Sequence, residues 1–229
     1  MAKKKGIVKN IIFGIIGTII LFAVIVIVNL IIVGKNESII SKGQPIENYS
    51  EPNYALLVID IQEATTGDVS IYPFFKKNSD DLIKNINQIA ESFKIQSIPV
   101  IYIRSEITNP LVNLINSSYA KGHIGAKFDK RLQAVSELEV VKKCKDSFRN
   151  TNLDSILTSN KVNELYVVGL DAAECINATV EAAQNRNYNV NLIEEAILSK
   201  SKEMKDSMIV NFKERGVKVI NIDSLSIMK

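Results

Sequence analysis

Three residues with complementary chemistry lie at the ends of short apolar runs in the sequence. Asp60 and Lys142 each close such a run, and Cys175 follows another after a short turn. The thiolate is the reactive form of a cysteine, and a nearby ammonium group favours it over the thiol, as does a helix N-terminus. A carboxylate can take the thiol proton and later hand it to a leaving amine. Together the three side chains predict nucleophilic hydrolysis of an amide-type carbonyl, which requires no metal.

Each of these residues also has an ordinary structural interpretation. An aspartate after a strand often forms a turn or caps a helix. Lys142 is followed by Lys143 and Lys145, a pattern typical of a solvated basic run. A free cysteine such as Cys175 is often an inert buried thiol. The catalytic hypothesis therefore depends on the three residues meeting in the fold.

The surrounding elements predict how they meet. Short apolar runs alternate with segments of helical periodicity, which indicates βαβ units and a parallel sheet with helices on both faces. The carboxyl ends of parallel strands share one edge of the sheet, where ligands bind. We therefore expect the carboxylate, the ammonium group and the thiol in one cleft. The predicted strands cover residues 54–59, 98–103, 139–141, 165–168, 190–193 and 217–222, and the predicted helices begin at Ser79, after Thr151, near Cys175 and at Ser201.

The least regular part of the body, residues 105–131, is expected to form part of a lid or a pocket wall. It contains His123, the one histidine of the sequence, which either lines the pocket or lies on a surface loop. A single histidine excludes a site built on several histidine ligands. The second cysteine, Cys144, lies two residues beyond Lys142, and a disulfide between Cys144 and Cys175 would switch the enzyme off.

The N-terminus carries a segment that predicts a membrane anchor. Residues 11–33 contain no charged side chain and, at about 1.5 Å per residue, are long enough to cross a hydrocarbon core of about 30 Å. The alternative is a cleaved signal peptide, whose apolar region is usually shorter. Four lysines precede the segment, so residues 1–10 are expected in the cytoplasm. Residues 34–52 then form a polar linker, and residues 53–229 form a domain outside the cell membrane.

The charge balance of that domain argues against a nucleic-acid partner. The chain has 28 basic and 25 acidic side chains, a net charge of +3. Without the four lysines before the apolar segment, residues 35–229 hold 24 basic and 25 acidic side chains, a net charge of −1. Proteins that bind nucleic acids usually present a strongly basic surface, which this domain does not encode.

Three segments of the domain resemble the isochorismatase-like cysteine hydrolase family. The run LLVIDIQ at residues 56–62 resembles its first signature, an apolar strand followed by Asp-x-Gln. The run KKCKDSFRNTNL at residues 142–153 resembles its second, in which a lysine precedes a phenylalanine and then Thr-x-Leu. The run VGLDAAECINAT at residues 168–179 resembles its third, a strand, a glycine, a turn and a cysteine. The resemblance covers nearly all of the domain.

The resemblance implies a Rossmann-like three-layer α/β/α sandwich with a mostly parallel six-stranded sheet. It also implies a catalytic triad of Asp60, Lys142 and Cys175 that passes through a Cys-linked acyl-enzyme. It implies a cis peptide bond between Asp171 and Ala172, with the backbone N–H groups of Ala172 and Cys175 forming an oxyanion hole. No metal and no other cofactor is expected. The single histidine argues against a nicotinamidase, and Cys175 argues against isochorismatase chemistry.

The sequence thus predicts a membrane-anchored cysteine hydrolase that cleaves a non-peptide C–N bond of a small amide or ureido compound. Its other expected partner is membrane lipid around the N-terminal helix, and the sequence is compatible with both a monomer and a homo-oligomer. The alternative is a catalytically inactive domain of the same fold that acts as an anchored small-molecule binding module. That alternative tolerates any geometry of the three residues, whereas the enzyme requires that they meet.

Overall fold

The architecture is a six-stranded parallel sheet, seen in a computed structural model that describes residues 2–47 and 49–225. The strand order is β3-β2-β1-β4-β5-β6, and each neighbouring pair is parallel. The predicted parallel sheet of six strands is confirmed. The strands are β1 (Tyr54–Ile59), β2 (Val100–Ser105), β3 (Glu139–Lys142), β4 (Glu164–Gly169), β5 (Asn189–Ile197) and β6 (Lys218–Ile220).

Helices cover both faces of this sheet, as predicted for a three-layer sandwich. On one face α2 (Pro73–Ile95) buries an apolar stripe that includes Leu82, Ile86 and Phe93. The other face is covered by α4 (Leu153–Ser159), α5 (Asn177–Gln184) and α6 (Lys202–Glu214). Strands β1 and β4 are apolar along almost their whole length because both of their faces are buried.

One predicted helix start is wrong. Helix α2 begins at Pro73, not at Ser79, because Pro73 suits the first turn and Phe75 extends the buried apolar stripe. Ser79 lies inside the helix, where its hydroxyl donates to the carbonyl of Lys76 at 2.9 Å. The helix predicted to begin near Cys175 is α5, which begins at Asn177 directly after a π-helical turn, Ala172–Ile176, that contains Cys175.

The N-terminal helix α1 spans Ala2–Glu37 and contains the predicted apolar segment. Its part Lys9–Glu37 is long and apolar enough to cross a membrane. The segment after α1, which was predicted to be a polar linker, is bound along the domain. The amide of Ser41 donates to Asp146 at 2.7 Å, the amide of Ile46 donates to the carbonyl of Arg186 at 2.9 Å, and Ile40 packs against the core. Apolar side chains in this segment explain why it lies along the domain.

Candidate functional site

The structure brings Asp60, Lys142 and Cys175 together at the carboxyl edge of the sheet. Asp60 follows β1, Lys142 is the last residue of β3, and Cys175 lies in the turn after β4. The ammonium group of Lys142 lies 2.8 Å from Asp60 Oδ2 and 3.2 Å from Cys175 Sγ. The expected convergence is therefore present in the fold.

Lys142 is the central member of this cluster, with 1% of its surface exposed. Its three N–H donors are directed to Asp60 Oδ2, Ser105 Oγ and Cys175 Sγ. Burial on its own lowers the pKa of a lysine, but here the Asp60 carboxylate outweighs it and raises the pKa of Lys142 above its usual value. Lys142 therefore carries a positive charge next to the thiol.

Ser105 is a fourth member of the cluster, and the sequence analysis missed it. Its hydroxyl donates to Asp60 Oδ1 at 3.0 Å and accepts from Lys142 at 2.8 Å. It is the last residue of β2 and is directly paired in register with Lys142 of β3. The predicted strand ended at residue 103, two residues too early, so the side chain at the true strand end was not considered. The signal was its position at the same sheet edge.

Residues that follow Asp60 fix the end of β1 beside the end of β2. Asp60 has a φ of 57°, and its carbonyl accepts the hydroxyl of Thr65 at 2.6 Å. The side-chain amide nitrogen of Gln62 donates to the backbone carbonyls of Ser105 and Ala126, both at 2.9 Å. Its side-chain oxygen accepts the backbone N–H of Ser105 at 2.8 Å. This explains physically why a glutamine stands two residues after the aspartate.

A glycine allows the end of β4 to approach the end of β1 closely. Gly169 has a φ of +117°, and a Cβ atom built there would lie 2.1 Å from the carbonyl oxygen of Ile59. Because Ile59 directly precedes Asp60, a side chain at position 169 would displace the end of β1. Glycine therefore permits the turn that carries Cys175 to lie beside Asp60.

The ionisation of Cys175 differs from the prediction. Burial raises the pKa of the thiol, and the Asp60 carboxylate adds to this effect, so the pKa reaches about 12 although Lys142 opposes it. Lys142 favours the thiolate, as expected, but burial and the Asp60 carboxylate outweigh it. The net effect favours the thiol form, whose proton must be removed during nucleophilic attack.

The predicted oxyanion hole loses one of its two expected donors. The N–H of Ala172 donates to the carbonyl of Leu198 at 2.8 Å, so it is not available to an oxyanion. The cis peptide bond lies between Leu170 and Asp171, one position before the expected one. The N–H of Cys175 stays the predicted donor.

The cluster opens into a pocket with a cavity volume of about 350 Å³. Part of residues 105–131 forms one wall of this pocket, as predicted, and it includes Ile107, Val112 and Tyr119. Tyr72 and Phe75, at the start of α2, add aromatic surface to the same pocket. Glu37, the last residue of α1, also lines this pocket, although the sequence placed it in a linker.

The one histidine and the second cysteine of the sequence do not take part in the Asp60–Lys142–Cys175 cluster. The Nδ1 atom of His123 accepts the N–H of Gly125 at 3.1 Å, and the residue is exposed and does not line this pocket. Within residues 2–47 and 49–225 no cluster of three or more His, Cys, Asp or Glu side chains is arranged to hold a metal. Cys144 lines the pocket as a free thiol, 3.5 Å from the carbonyl of Asp146, and Cys175 is also free.

Three comparisons place this chain among known proteins. N-carbamoylsarcosine amidase from an Arthrobacter species is 28% identical over 62% of this chain and 58% of its own length, so the match spans less than two thirds of that relative. A probable inactive nicotinamidase from Arabidopsis thaliana is 27% identical over 72% of this chain and 91% of its own length. The crystal structure of pyrazinamidase from Pyrococcus horikoshii in complex with zinc shares the fold, with a TM-score of 0.64, 22% identity, and coverage of 75% of this chain and 100% of that one.

The sequence also matches a known domain family. Residues 54–224, which include all six strands and the whole Asp60–Lys142–Cys175 cluster, match the Isochorismatase domain family. The chain therefore belongs to the isochorismatase-like hydrolase family.

Proposed function

We propose that the protein is a membrane-anchored cysteine hydrolase that cleaves a non-peptide C–N bond in a small amide or ureido compound. One observation carries this proposal: the buried Lys142 ammonium contacts both Asp60 Oδ2 and Cys175 Sγ. The similarity to an N-carbamoylsarcosine amidase supports an amide or ureido substrate.

The chemistry of the cluster follows from its charges. When a substrate carbonyl lies next to Cys175, the Asp60 carboxylate takes the thiol proton and the sulfur attacks the carbonyl carbon. Lys142 stabilises the negative charge on the sulfur, and the N–H of Cys175 donates to the developing oxyanion. Collapse of the intermediate breaks the C–N bond, and Asp60 returns the proton to the leaving nitrogen. The product of this half-reaction is a thioester on Cys175.

Hydrolysis of the thioester reverses the same proton transfers. Asp60 takes a proton from a water molecule, the resulting hydroxide attacks the acyl carbon, and Cys175 leaves as a thiol with the proton that Asp60 returns. The nucleophile, the acid–base group and the positive charge are all side chains of this chain. The proposed mechanism is therefore independent of a metal and of any other cofactor.

The proposed location follows from α1 and its flanking charges. The helix includes an uncharged segment at residues 11–33, and Lys9 and three further lysines precede that segment. Basic residues are retained on the cytoplasmic side of a membrane. The domain from residue 53 onward is then outside the cytoplasm, and α1 spans the cell membrane once.

A second function is favoured by a separate observation. One relative is named as a probable inactive nicotinamidase, and burial together with Asp60 raises the pKa of the Cys175 thiol. The same pocket could then bind amides without cleaving them. The two functions differ in whether a covalent bond to Cys175 forms.

The test uses the full-length protein in phosphatidylcholine vesicles with a panel of primary amides and ureido compounds that includes N-carbamoylsarcosine. We expect ammonia release from at least one compound, and an acyl adduct on Cys175 that hydroxylamine removes. Cys175→Ser should abolish both signals. Tight binding without ammonia release or an adduct would support the binding module instead, and ammonia release that survives Cys175→Ser would exclude the cysteine mechanism.

A further inference from the structure

The end of α1 forms part of the candidate active site. Glu37 lines the same pocket as Asp60 and Cys175. Four residues earlier, Val33 is the last residue of the apolar segment, and it lines an adjoining crevice together with Ile107. The pocket and the membrane-spanning segment are therefore neighbours in space and are not separated by a spacer.

The rise of α1 between Val33 and Glu37 places the pocket at the depth of the lipid headgroups. From Val33 to Glu37 a helix rises about 6 Å. The headgroup region on each side of the hydrocarbon core is about 5–8 Å thick. If the apolar segment fills the hydrocarbon core, Glu37 lies near the outer limit of the headgroups, and the pocket that it lines opens beside them.

A short apolar helix lies at the same place. Helix α3 (Pro110–Ile115) contacts α1 and contains Leu114 and Ile115, which are 65% and 61% exposed. None of the α3 residues is fully buried in the domain. Val112, on the same helix, lines the candidate active site. One end of α3 thus presents large apolar side chains to the surroundings, while another of its residues forms the pocket wall.

Two basic side chains beside α1 support contact with a membrane surface. Lys143 and Arg149 line the crevice that adjoins α1, and Arg149 donates to the carbonyl of Asn36 near its end. Within the pocket itself the charges are mixed, because Lys145 and Lys200 both pair with Glu174. Basic residues close to a bilayer are attracted to anionic lipid headgroups. Apolar side chains flanked by basic groups are typical of segments that lie in the membrane interface.

We propose that Leu114 and Ile115 enter the membrane interface beside α1, and that the active site accepts an amide or ureido compound carrying an apolar chain, which reaches Cys175 from the bilayer. This inference rests on the proposed anchoring and on Cys175 as the nucleophile. The apolar chain would pass over α3 and contact the Val112 side of the pocket, while the carbonyl lies at Cys175.

The first test measures the position of α3 without any catalytic step. The chain has no tryptophan, so Ile115→Trp introduces a single tryptophan whose fluorescence reports this position. Ile95→Trp is the matched control, because Ile95 is 75% exposed at the end of α2, at the opposite edge of the sheet. In phosphatidylcholine vesicles with brominated acyl chains, we expect strong quenching for Ile115→Trp and none for Ile95→Trp. Equal quenching of the two variants by the brominated chains would overturn the proposed membrane contact.

The second test measures the substrate class. In a Cys144→Ser background Cys175 is the one cysteine left. Its alkylation by N-dodecyl iodoacetamide in vesicles, in which the sulfur displaces iodide, is compared with alkylation by iodoacetamide. We expect at least a tenfold advantage for the dodecyl reagent, lost in Ile115→Asp and retained in Ile95→Asp. The absence of any advantage would overturn the apolar-chain substrate.

The outcomes are separate from those of the proposed function. Flotation of the full-length protein with the vesicles reports anchoring by α1 on its own. Reaction of Cys175 with iodoacetamide reports the thiol whether or not α3 touches lipid. A protein that floats and reacts but shows no quenching at position 115 would therefore contradict this inference alone.

Discussion

The hydroxyl of Ser105 lies 2.8 Å from the ammonium nitrogen of Lys142 and donates to Asp60 at 3.0 Å. It thereby connects the Lys142 ammonium group and the Asp60 carboxylate by a path that does not pass through Cys175. One donor of the ammonium group and one oxygen of the carboxylate are satisfied by this single hydroxyl. Ser105 is thus a positioning residue, which holds both charged groups at the distance that the thiol requires.

Removal of this hydroxyl should weaken the reaction more than the fold. In Ser105→Ala one N–H of Lys142 and one oxygen of Asp60 lose their partner. Hydrogen bonds to charged groups contribute about 1.5–3 kcal/mol, so we expect kcat to fall by roughly 10- to 100-fold. Ser105→Thr keeps a hydroxyl and should restore most of the rate. Steady-state kinetics on the best amide of the panel measure both variants, and a change in KM with constant kcat would contradict the positioning role.

The charge of Asp60 predicts the pH dependence of Cys175. The carboxylate raises the thiol pKa, so Asp60→Asn should lower the pKa and increase alkylation by iodoacetamide near neutral pH. Each drop of one in the pKa increases the thiolate population about tenfold at a fixed pH well below the pKa. The same variant should lose C–N hydrolysis because the base is gone. In the wild type, the alkylation rate should continue to rise with pH beyond the usual thiol range.

Lys142→Met provides the opposite shift and serves as the control. Lys142 lowers the pKa of Cys175, so its removal should slow alkylation at each pH below the new pKa. Rates measured from pH 6 to 11 in the Cys144→Ser background give the two profiles. An Asp60→Asn profile that moves to higher pH would contradict the proposed electrostatics.

The close approach of β1 and β4 at Gly169 predicts a strong effect on stability. In Gly169→Ala the new methyl group meets the Ile59 carbonyl and the backbone has a positive φ. Gly122→Ala is a matched control, because Gly122 has a φ of +81° but open space around its Cβ position. We expect a loss of about 1–2 kcal/mol for Gly122→Ala from strain alone, and at least about 1–3 kcal/mol more for Gly169→Ala. Denaturant unfolding in detergent micelles measures both, and equal losses would contradict the clash.

The sheet and the meeting of Asp60, Lys142 and Cys175 could be predicted because buried parallel strands leave a recognisable pattern in the sequence. Strands β1 and β4 are buried on two faces, and this requires uninterrupted apolar runs that are visible in the sequence. The convergence of Asp60, Lys142 and Cys175 then follows from the shared carboxyl edge of parallel strands. No knowledge of side-chain contacts was needed for this step.

The missed features depend on contacts between distant segments. Ser105 extends β2 beyond its apolar part because it pairs with β3, and the polar Arg104 before it conceals the strand end. The Ala172 amide is taken by Leu198, 26 residues later, which no local pattern indicates. The thiol pKa of Cys175 depends on the burial of the site and on two opposing charges, whose balance the sequence does not reveal.

The contacts of Arg186 predict how rigidly the domain is held to its helix. This side chain is buried, lies 4.4 Å over the ring of Phe148, binds Asp154 at 2.7 Å, and donates to the carbonyl of Ser41 at 3.3 Å. Arg186→Met keeps the apolar stem but loses these polar contacts. Because the Asp154 side chain is half exposed, we expect a modest loss of about 1–2 kcal/mol and release of the segment around Ser41.

Limited digestion with trypsin should reveal this release. Lys42 is exposed but lies in a segment that is bound along the domain in the wild type. In Arg186→Met we expect faster cleavage after Lys42, which separates the domain from α1. Arg215→Met is the control, because Arg215 contacts Asn177 and Gln184 and not the segment around Ser41. Equal cleavage rates would mean that the Arg186 side chain does not hold the segment, and its other contacts, such as that between Ser41 and Asp146, would then hold it in place.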